Sequence, residues 1–503
     1  MWHGYAVLEK PVDVTATEWN TALSTIRANL NGTPDDPQPA NRLHTRPSGD
    51  RIILESNFDA TKINPAYLYQ LTGFTPNILP MRQGDVWGRS LDLCHEYMAD
   101  GWDWEMTRTF RPEDYGAVGD GVADDAPSIQ RAIDDASQNG GAVQLSRRYR
   151  ITVQGSIELT LGSIQDYALW VQADNVAITG PGTLVVTEKQ DSVRFTGLLF
   201  GRLIKAEYPD RPGSTGPWLC HAGISGVRFD ATALSEADLL DMAGNGFVQT
   251  VVFAYCRDWW ICGCVFDNCW GGNGVLGSHS SSRDGLIDGN ITYGGIGHQA
   301  MIWVDGAQGT RIVNNKICRA HFYGIVVQTN LDNCDINDPV DGDAGFCYDN
   351  IVANNHVGFG AGHSTAVGIG LVGSSRSMAV NNYLHALNPG YGVEMRAYAH
   401  HHNNSKTNDC LVSGNVGINL VRGVWMWGHD ESPLDGSPVT TERNVVIGNY
   451  FTRSDVWPVD CYLGVLGEQV QGNVIANNVA KCDIEFDVNE TATGNTLEPN
   501  ILL

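Results

Sequence analysis

Glu394, Arg396, Trp425 and Trp427 are the side chains whose types and spacing in this sequence suggest chemistry. They lie in Gly392-Val393-Glu394-Met395-Arg396 and Gly423-Val424-Trp425-Met426-Trp427. Three earlier segments align with these on a small first residue: Ala300-Met301-Ile302-Trp303-Val304, Gly324-Ile325-Val326-Val327-Gln328 and Gly368-Ile369-Gly370-Leu371-Val372. The second and fourth positions are apolar throughout, so strand alternation gives them to a core and turns the third and fifth outwards. Stacked as neighbouring strands about 4.8 Å apart, the last two segments set Glu394 beside Trp425 and Arg396 beside Trp427. Gly370, one strand earlier, then leaves an open floor beside the carboxylate. A carboxylate, a guanidinium and two indole faces around a gap suit a saccharide, whose C–H faces pack on indoles and whose hydroxyls or carboxylates meet the charges. Asp430 and Glu431 follow the Trp strand and offer a second carboxylate. Hydrolysis would use Glu394 as acid or nucleophile with one of them opposite; elimination would need a base such as His or Arg acting on a uronate proton. The plainer reading is a surface ion pair of little energetic value.

Other groups carry weaker signals. His298, His321 and His363 could cluster along one edge, though histidines satisfied within turns explain them as well, and His400-His401-His402 reads as a solvated loop. The oxygen donors of residues 335–343 have the density calcium favours but lack a terminal bidentate Glu, so no metal or other cofactor is expected. The twelve cysteines include no Cys-x-x-Cys pair and read as buried thiols, with Cys334 and Cys347 the one pair worth testing for a bridge. Ile302, Val304, Val326 and Val372 form an outward apolar strip in the alignment above, which predicts a covering neighbour, a homotrimer being the natural closure.

These residues need a scaffold of stacked strands, and the composition supplies one. Apolar residues make up 42% and charged residues 18% of 503, with 57 glycines, which suits an ordered chain of short strands and many turns. A net charge of −25 argues against binding nucleic acid or an anionic membrane. No run of about eighteen apolar residues occurs, so no membrane span is expected. Met1-Trp2-His3-Gly4-Tyr5 does not open a secretory signal. From about 150 to 497 a short motif, apolar–x–Asn/Gly–Asn, recurs with its last Asn at 290, 315, 355, 382, 415, 449 and 478. Intervals of 25 to 40 residues imply a solenoid, with 330–349 inserted in the longest of them. Residues 1–108 show no such repeat. There Thr15-Ala16-Thr17-Glu18 is a capping box for a helix with Trp19, Ala22, Leu23, Ile26 and Leu30 on one face, and residues 51–55 read as a strand in a hairpin with 42–46. This predicts a small α+β module without a catalytic motif.

The entry to the second region, 109–503, is the most specific segment. Asp114-Tyr115-Gly116-Ala117-Val118-Gly119-Asp120-Gly121-Val122-Ala123-Asp124-Asp125 precedes a helix with Ile129, Ala132, Ile133 and Ala136 on one face; Asn139-Gly140-Gly141 ends it and a strand resumes. This order resembles the entry of the pectate-lyase-like right-handed parallel β-helix superfamily, bacteriophage tailspikes included. The pattern departs from the usual one at Ser146-Arg147-Arg148, where a Pro-x-Gly turn is common. The resemblance implies an all-β solenoid capped by the short helix, with Asp120, Asp124 and Asp125 structural. It also implies a virion protein, assembled in the host cytoplasm, that binds and depolymerises a cell-surface polysaccharide. The N-terminal module would attach it to other virion tail or capsid proteins. A non-catalytic receptor-binding or decoration protein, and a bacterial lyase or hydrolase, are the alternatives. The motif set of polygalacturonases is not found, and the separate C-terminal trimerisation domain of many tailspikes is not expected.

Overall fold

The computed structural model describes most of residues 108–502, leaving aside 161–162, 191–194, 202–218, 244–248, 330–346, 362–365, 401–402, 430–435, 454–461 and a few single positions; before 108 it describes 4–9, 42–44, 51–56, 77–79 and parts of 15–21. The chain forms two compact units, Met1–Asp103 and Trp104–Leu503. In the first, Gly4–Glu9, Arg42–His44, Arg51–Ser56 and Asn77–Leu79 make an antiparallel sheet, and residues 42–44 pair with 53–55 as the hairpin reading requires. The capping box closes reciprocally: Glu18 N–H donates to Thr15 Oγ1, and the Thr15 amide and hydroxyl both donate to Glu18 Oε2. The rest of the expected helix face lies outside the described residues.

The second unit is a right-handed parallel β-helix. Its first coil is closed by helix α1, Ala126–Asn139, which buries Ile129, Ala132, Ile133 and Ala136. The three aspartates before it are structural. Asp125 accepts from the Val118 and Gly119 amides, Asp120 from those of Val122 and Ala123, and Asp124 from the first helical amide at Ala126. Tyr149 takes over from the missing turn, its hydroxyl accepting from the Ser146 amide and donating to Glu113.

Each coil then contributes three main strands, and five of the later coils add a two-residue strand that pairs in a sheet of its own. A three-residue strand joins a twelve-stranded parallel sheet; a corner follows, then a second strand, then a longer third strand. The corner explains the repeated motif. Its penultimate residue, Gly289, Asn314, Asn354, Asn381, Gly414, Gly448 or Asn477, has φ between 54° and 69°, a left-handed conformation suited to Gly and Asn. The last Asn turns inwards. Asn290, Asn315, Asn355, Asn382, Asn415, Asn449 and Asn478 are buried, and each donates its backbone and side-chain N–H to Oδ1 of the Asn in the next coil, a column that ends at Asn500. The spare amide proton reaches a carbonyl of the preceding coil, as from Asn382 to Val352 at 2.9 Å.

The third strands carry the residues of interest: β1 Ala300–Asp305, β2 Tyr323–Gln328, β3 Val367–Val372, β4 Tyr383–Arg396, β5 Val416–Trp427 and β6 Tyr462–Leu466. From β2 to β5 the expected register holds: Ile325, Ile369, Val393 and Val424 stack in one inward column, and Val327, Leu371, Met395 and Met426 in another. In β1 the register is one residue off. Ile302 pairs with Ile325 and Val304 with Val327, so both point inwards and Trp303 points out. The small-residue alignment fails there because Met301, not Ala300, stands opposite the corner glycine Gly324. Val326 and Val372 do face outwards, but they are 1% and 0% exposed within the single chain. They belong to an outer cluster with Trp303, Tyr323, Val367 and Tyr391, and the antiparallel Tyr398–Ser405 hairpin closes over its edge, Ser405 Oγ donating to the Gly373 carbonyl at 2.6 Å. The apolar strip expected to need a neighbouring subunit is therefore covered by the chain itself.

A different strip is open. On the second strands, outward residues stack as Ile291, Lys316, His356, Tyr383, Val416, Tyr450, Val479 and Ile501, with Tyr383 38%, Tyr450 39% and Ile501 56% exposed. Of the cysteine pair singled out for testing, Cys347 is a free buried thiol set 2.8 Å from the Gln328 carbonyl, and Cys334 lies outside the described residues. Cys262, by contrast, is disulfide-bonded.

The buried amide column makes a quantitative prediction. Asn382→Ala strands two buried donors of Asn355 and should cost about 3 kcal/mol in urea unfolding, whereas Asn500→Ala, at the half-buried end of the column, should cost about 1 kcal/mol. Equal costs would mean that burial does not set the worth of these bonds.

Candidate functional site

The site is built on β2 to β5, and its layout starts from a column of corner glycines. An added Cβ at Gly324, Gly368, Gly392 or Gly423 would lie 2.6–2.8 Å from a carbonyl of the next coil, at Gly368, Gly392, Gly423 and Leu463 respectively. Added Cβ atoms at Gly324, Gly392 and Gly423 would also approach the core side chains Val357, Leu420 and Phe451. These glycines face inwards, as does the residue after each, so alternation breaks at the corner and the residue before each glycine is thrown outwards. Tyr323, Val367, Tyr391 and Arg422 stack there.

Glu394 is brought beside Trp425, and Arg396 beside Trp427, as the sequence predicted. Gly370 lies in register with Glu394, but it does not floor an open groove. The Tyr323 ring occupies that space: a Cβ on Gly370 would be 2.8 Å from Tyr323 Cε1. Crossing over Gly370, the Tyr323 hydroxyl donates to Glu394 Oε2. Burial, and then the adjacent carboxylate, push the Tyr323 phenol far above its ordinary pKa, so it keeps the proton it donates. Glu394 is 0% exposed; its Oε1 receives no hydrogen bond and faces Arg396 Nε at 3.6 Å. The carboxylate is thus sealed beneath a tyrosine and an arginine rather than presented at the surface.

What is presented is aromatic. Trp425 and Trp427 stack with centroids 5.7 Å apart and planes at 24°, and Trp427 stacks on His429 at 5.6 Å and 21°. His429 Nε2 lies 3.1 Å from the Ala397 carbonyl, which anchors the end of the row. Tyr391 meets Trp425 edge to face at 5.1 Å, and the Arg422 guanidinium lies 4.6 Å from the Tyr391 ring centre and 5.3 Å from that of Trp425. The rings face one another along the row, with Trp427 between Trp425 and His429 and the Arg422 guanidinium over Trp425, so this half-buried shelf offers a ligand ring edges rather than free ring faces.

Asp430, Glu431, His298, His363, His401, His402 and the 335–343 loop lie outside the described residues. Among the described residues no three His, Cys, Asp or Glu side chains gather as a metal would require, and no helix is long and apolar enough to cross a membrane. Sequence reading missed Tyr323, Tyr391, Arg422 and His429. The signal was present for the first three, since each immediately precedes a corner glycine.

No protein-family model matches the chain, and no curated protein matches it. Solved structures do. A tailspike protein mutant of E. coli bacteriophage HK620, in complex with a pentasaccharide, superposes with a TM-score of 0.56 at 13% identity over 86% of this chain and 67% of its own. The A-module of mannuronan C-5 epimerase from Azotobacter vinelandii gives 0.52 at 16% identity over 78% of this chain and 100% of its own. PfbA, a surface adhesin of Streptococcus pneumoniae, gives 0.52 at 14% over 77% and 93%. Such distant likenesses establish the architecture: this is a parallel β-helix protein.

The seal over Glu394 can be tested by unfolding. Tyr323→Phe removes its one hydrogen-bond donor and should cost about 2–3 kcal/mol. Gly370→Ala, crowding the Tyr323 ring, should cost about 1–3 kcal/mol. Combined with Tyr323→Ala, Gly370→Ala should cost far less than it does alone, because the ring is gone. Additive costs would show that Gly370 does not exist to admit the ring.

Proposed function

We propose that this chain binds a cell-surface polysaccharide on the Trp425–Trp427–His429 shelf, as a tailspike-like host-recognition protein carried on a virion. The observation that carries the reading is the half-buried, anchored row of stacked rings beside Arg396 and Arg422, on the outer face of a solenoid whose architecture is shared with a tailspike solved in complex with a pentasaccharide. Glu394 holds Tyr323 and Arg396 in place beneath the shelf. In this reading the N-terminal unit serves attachment to other virion proteins. Self-association as a homotrimer would use the open Tyr383–Val416–Tyr450–Val479–Ile501 strip, whose column from Ile291 onwards has no acidic residue in a chain of net charge −25.

Depolymerisation is a second reading: Oε1 of Glu394 takes no hydrogen bond, and it would serve as the proton donor or acceptor once Arg396 turned aside to admit the sugar. Binding and cleavage separate cleanly. Trp425→Ala or Trp427→Ala should weaken polysaccharide binding by about 1–2 kcal/mol, the scale of a lost ring contact. Glu394→Gln should leave binding within a few-fold, and should abolish release of oligosaccharide from capsule or lipopolysaccharide only if Glu394 moves a proton. Binding indifferent to both Trp substitutions, in a preparation that does bind glycan, would remove the shelf from the reading.

A further inference from the structure

Among the described residues, the outward polar groups nearest Trp425 are mostly hydrogen-bond donors. The Arg422 guanidinium makes two ring contacts and, among the described residues, no hydrogen bond or ion pair. Arg396 has 30% of its side chain exposed, and its only ion pair among them is the 3.6 Å approach to Glu394. The Tyr391 hydroxyl and the Trp425 and Trp427 indole N–H groups have no partner in the protein among the described residues. Guanidinium and indole N–H groups only donate. The carboxylate of the site, Glu394, is sealed below and committed to Tyr323 and Arg396. In the outward column of Trp425, the next acidic residue is Asp487, two strands further on.

Held against the Tyr391 and Trp425 rings, Arg422 is a cation without an ion-pair partner among the described residues, in a chain whose other charges sum strongly negative. Such a chain repels a polyanion in general, so a cation beside an aromatic shelf is informative about the ligand: it complements a sugar that carries its own acceptor charge. Resting on the polysaccharide reading above, we propose that the ligand is an anionic polysaccharide, with one carboxylate-bearing sugar packed against the edge of the Trp425–Trp427 row and its carboxylate on the Arg422 guanidinium. Arg422 is then a specificity-determining residue, and the −25 charge serves to reject anionic polymers that do not fit.

The test uses the full chain and a panel of alginate, polygalacturonate, hyaluronan and acidic bacterial capsules, each beside its carboxyl-reduced neutral form, with binding read by calorimetry. The expected result is that an acidic polymer binds and its reduced form binds about tenfold or more weakly. Arg422→Gln should lower affinity for the acidic form about tenfold more than for the reduced form, while Arg422→Lys should recover part of that difference. Unaltered thermal unfolding of both variants would exclude a folding defect. Equal binding of acidic and reduced forms overturns the anionic ligand while leaving the polysaccharide reading standing. Silence across the whole panel overturns that reading, and this inference with it.

Discussion

Every feature of the solenoid unit depends on one coil sitting in fixed register on the next, and the buried asparagine column enforces that register from inside the corner. Each amide in it is both donor and acceptor to its neighbours along the axis, so a coil that slipped by one residue would bury several unpaired amide groups at once. The left-handed residue before each Asn turns the chain so that the amide can point inwards. Coil length is otherwise free, which is why intervals between successive asparagines range from 25 to 40 residues while the strands still pair residue for residue. Loops absorb the difference and the corner stays put.

The fixed register makes the site a matter of counting. Glu394 is opposite Trp425, and Arg396 opposite Trp427, because Val393 and Met395 fill the core between them. Of the site residues read from the sequence, Glu394 ends up as foundation, Trp425 and Trp427 as surface and Arg396 at the boundary between them, while Gly370 admits a ring. Glu394 forms its hydrogen bond and ion pair below; Trp425 and Trp427 form the shelf above.

Much of this was legible. The entry segment and the Asn spacing gave the architecture, and inward columns from β2 to β5 follow from apolar alternation alone. The errors have local causes. In β1 a methionine stands where the other strands have a glycine, so aligning on a small residue displaced that strand by one and put Ile302 and Val304 on the wrong face. Simple alternation cannot show a corner at which two successive residues face inwards, and this hid Tyr323, Tyr391 and Arg422. A glycine in a strand pattern was read as empty space at 370, when the space belongs to an aromatic ring from the neighbouring strand. The open face of the second strands went unnoticed because its outward residues are spread over coils of unequal length, with no contiguous apolar run to mark them.

The direction of the aromatic row has a further consequence. Trp425 and Trp427 on one strand, and His429 just past its end, follow one another across the axis of the solenoid, so a polymer lying on them meets a footprint limited by the width of one face. Adding coils would lengthen the molecule without lengthening that footprint. Avidity for a long repetitive glycan would then have to come from several copies of the chain, each gripping a short segment, rather than from one copy threading the polymer down its length.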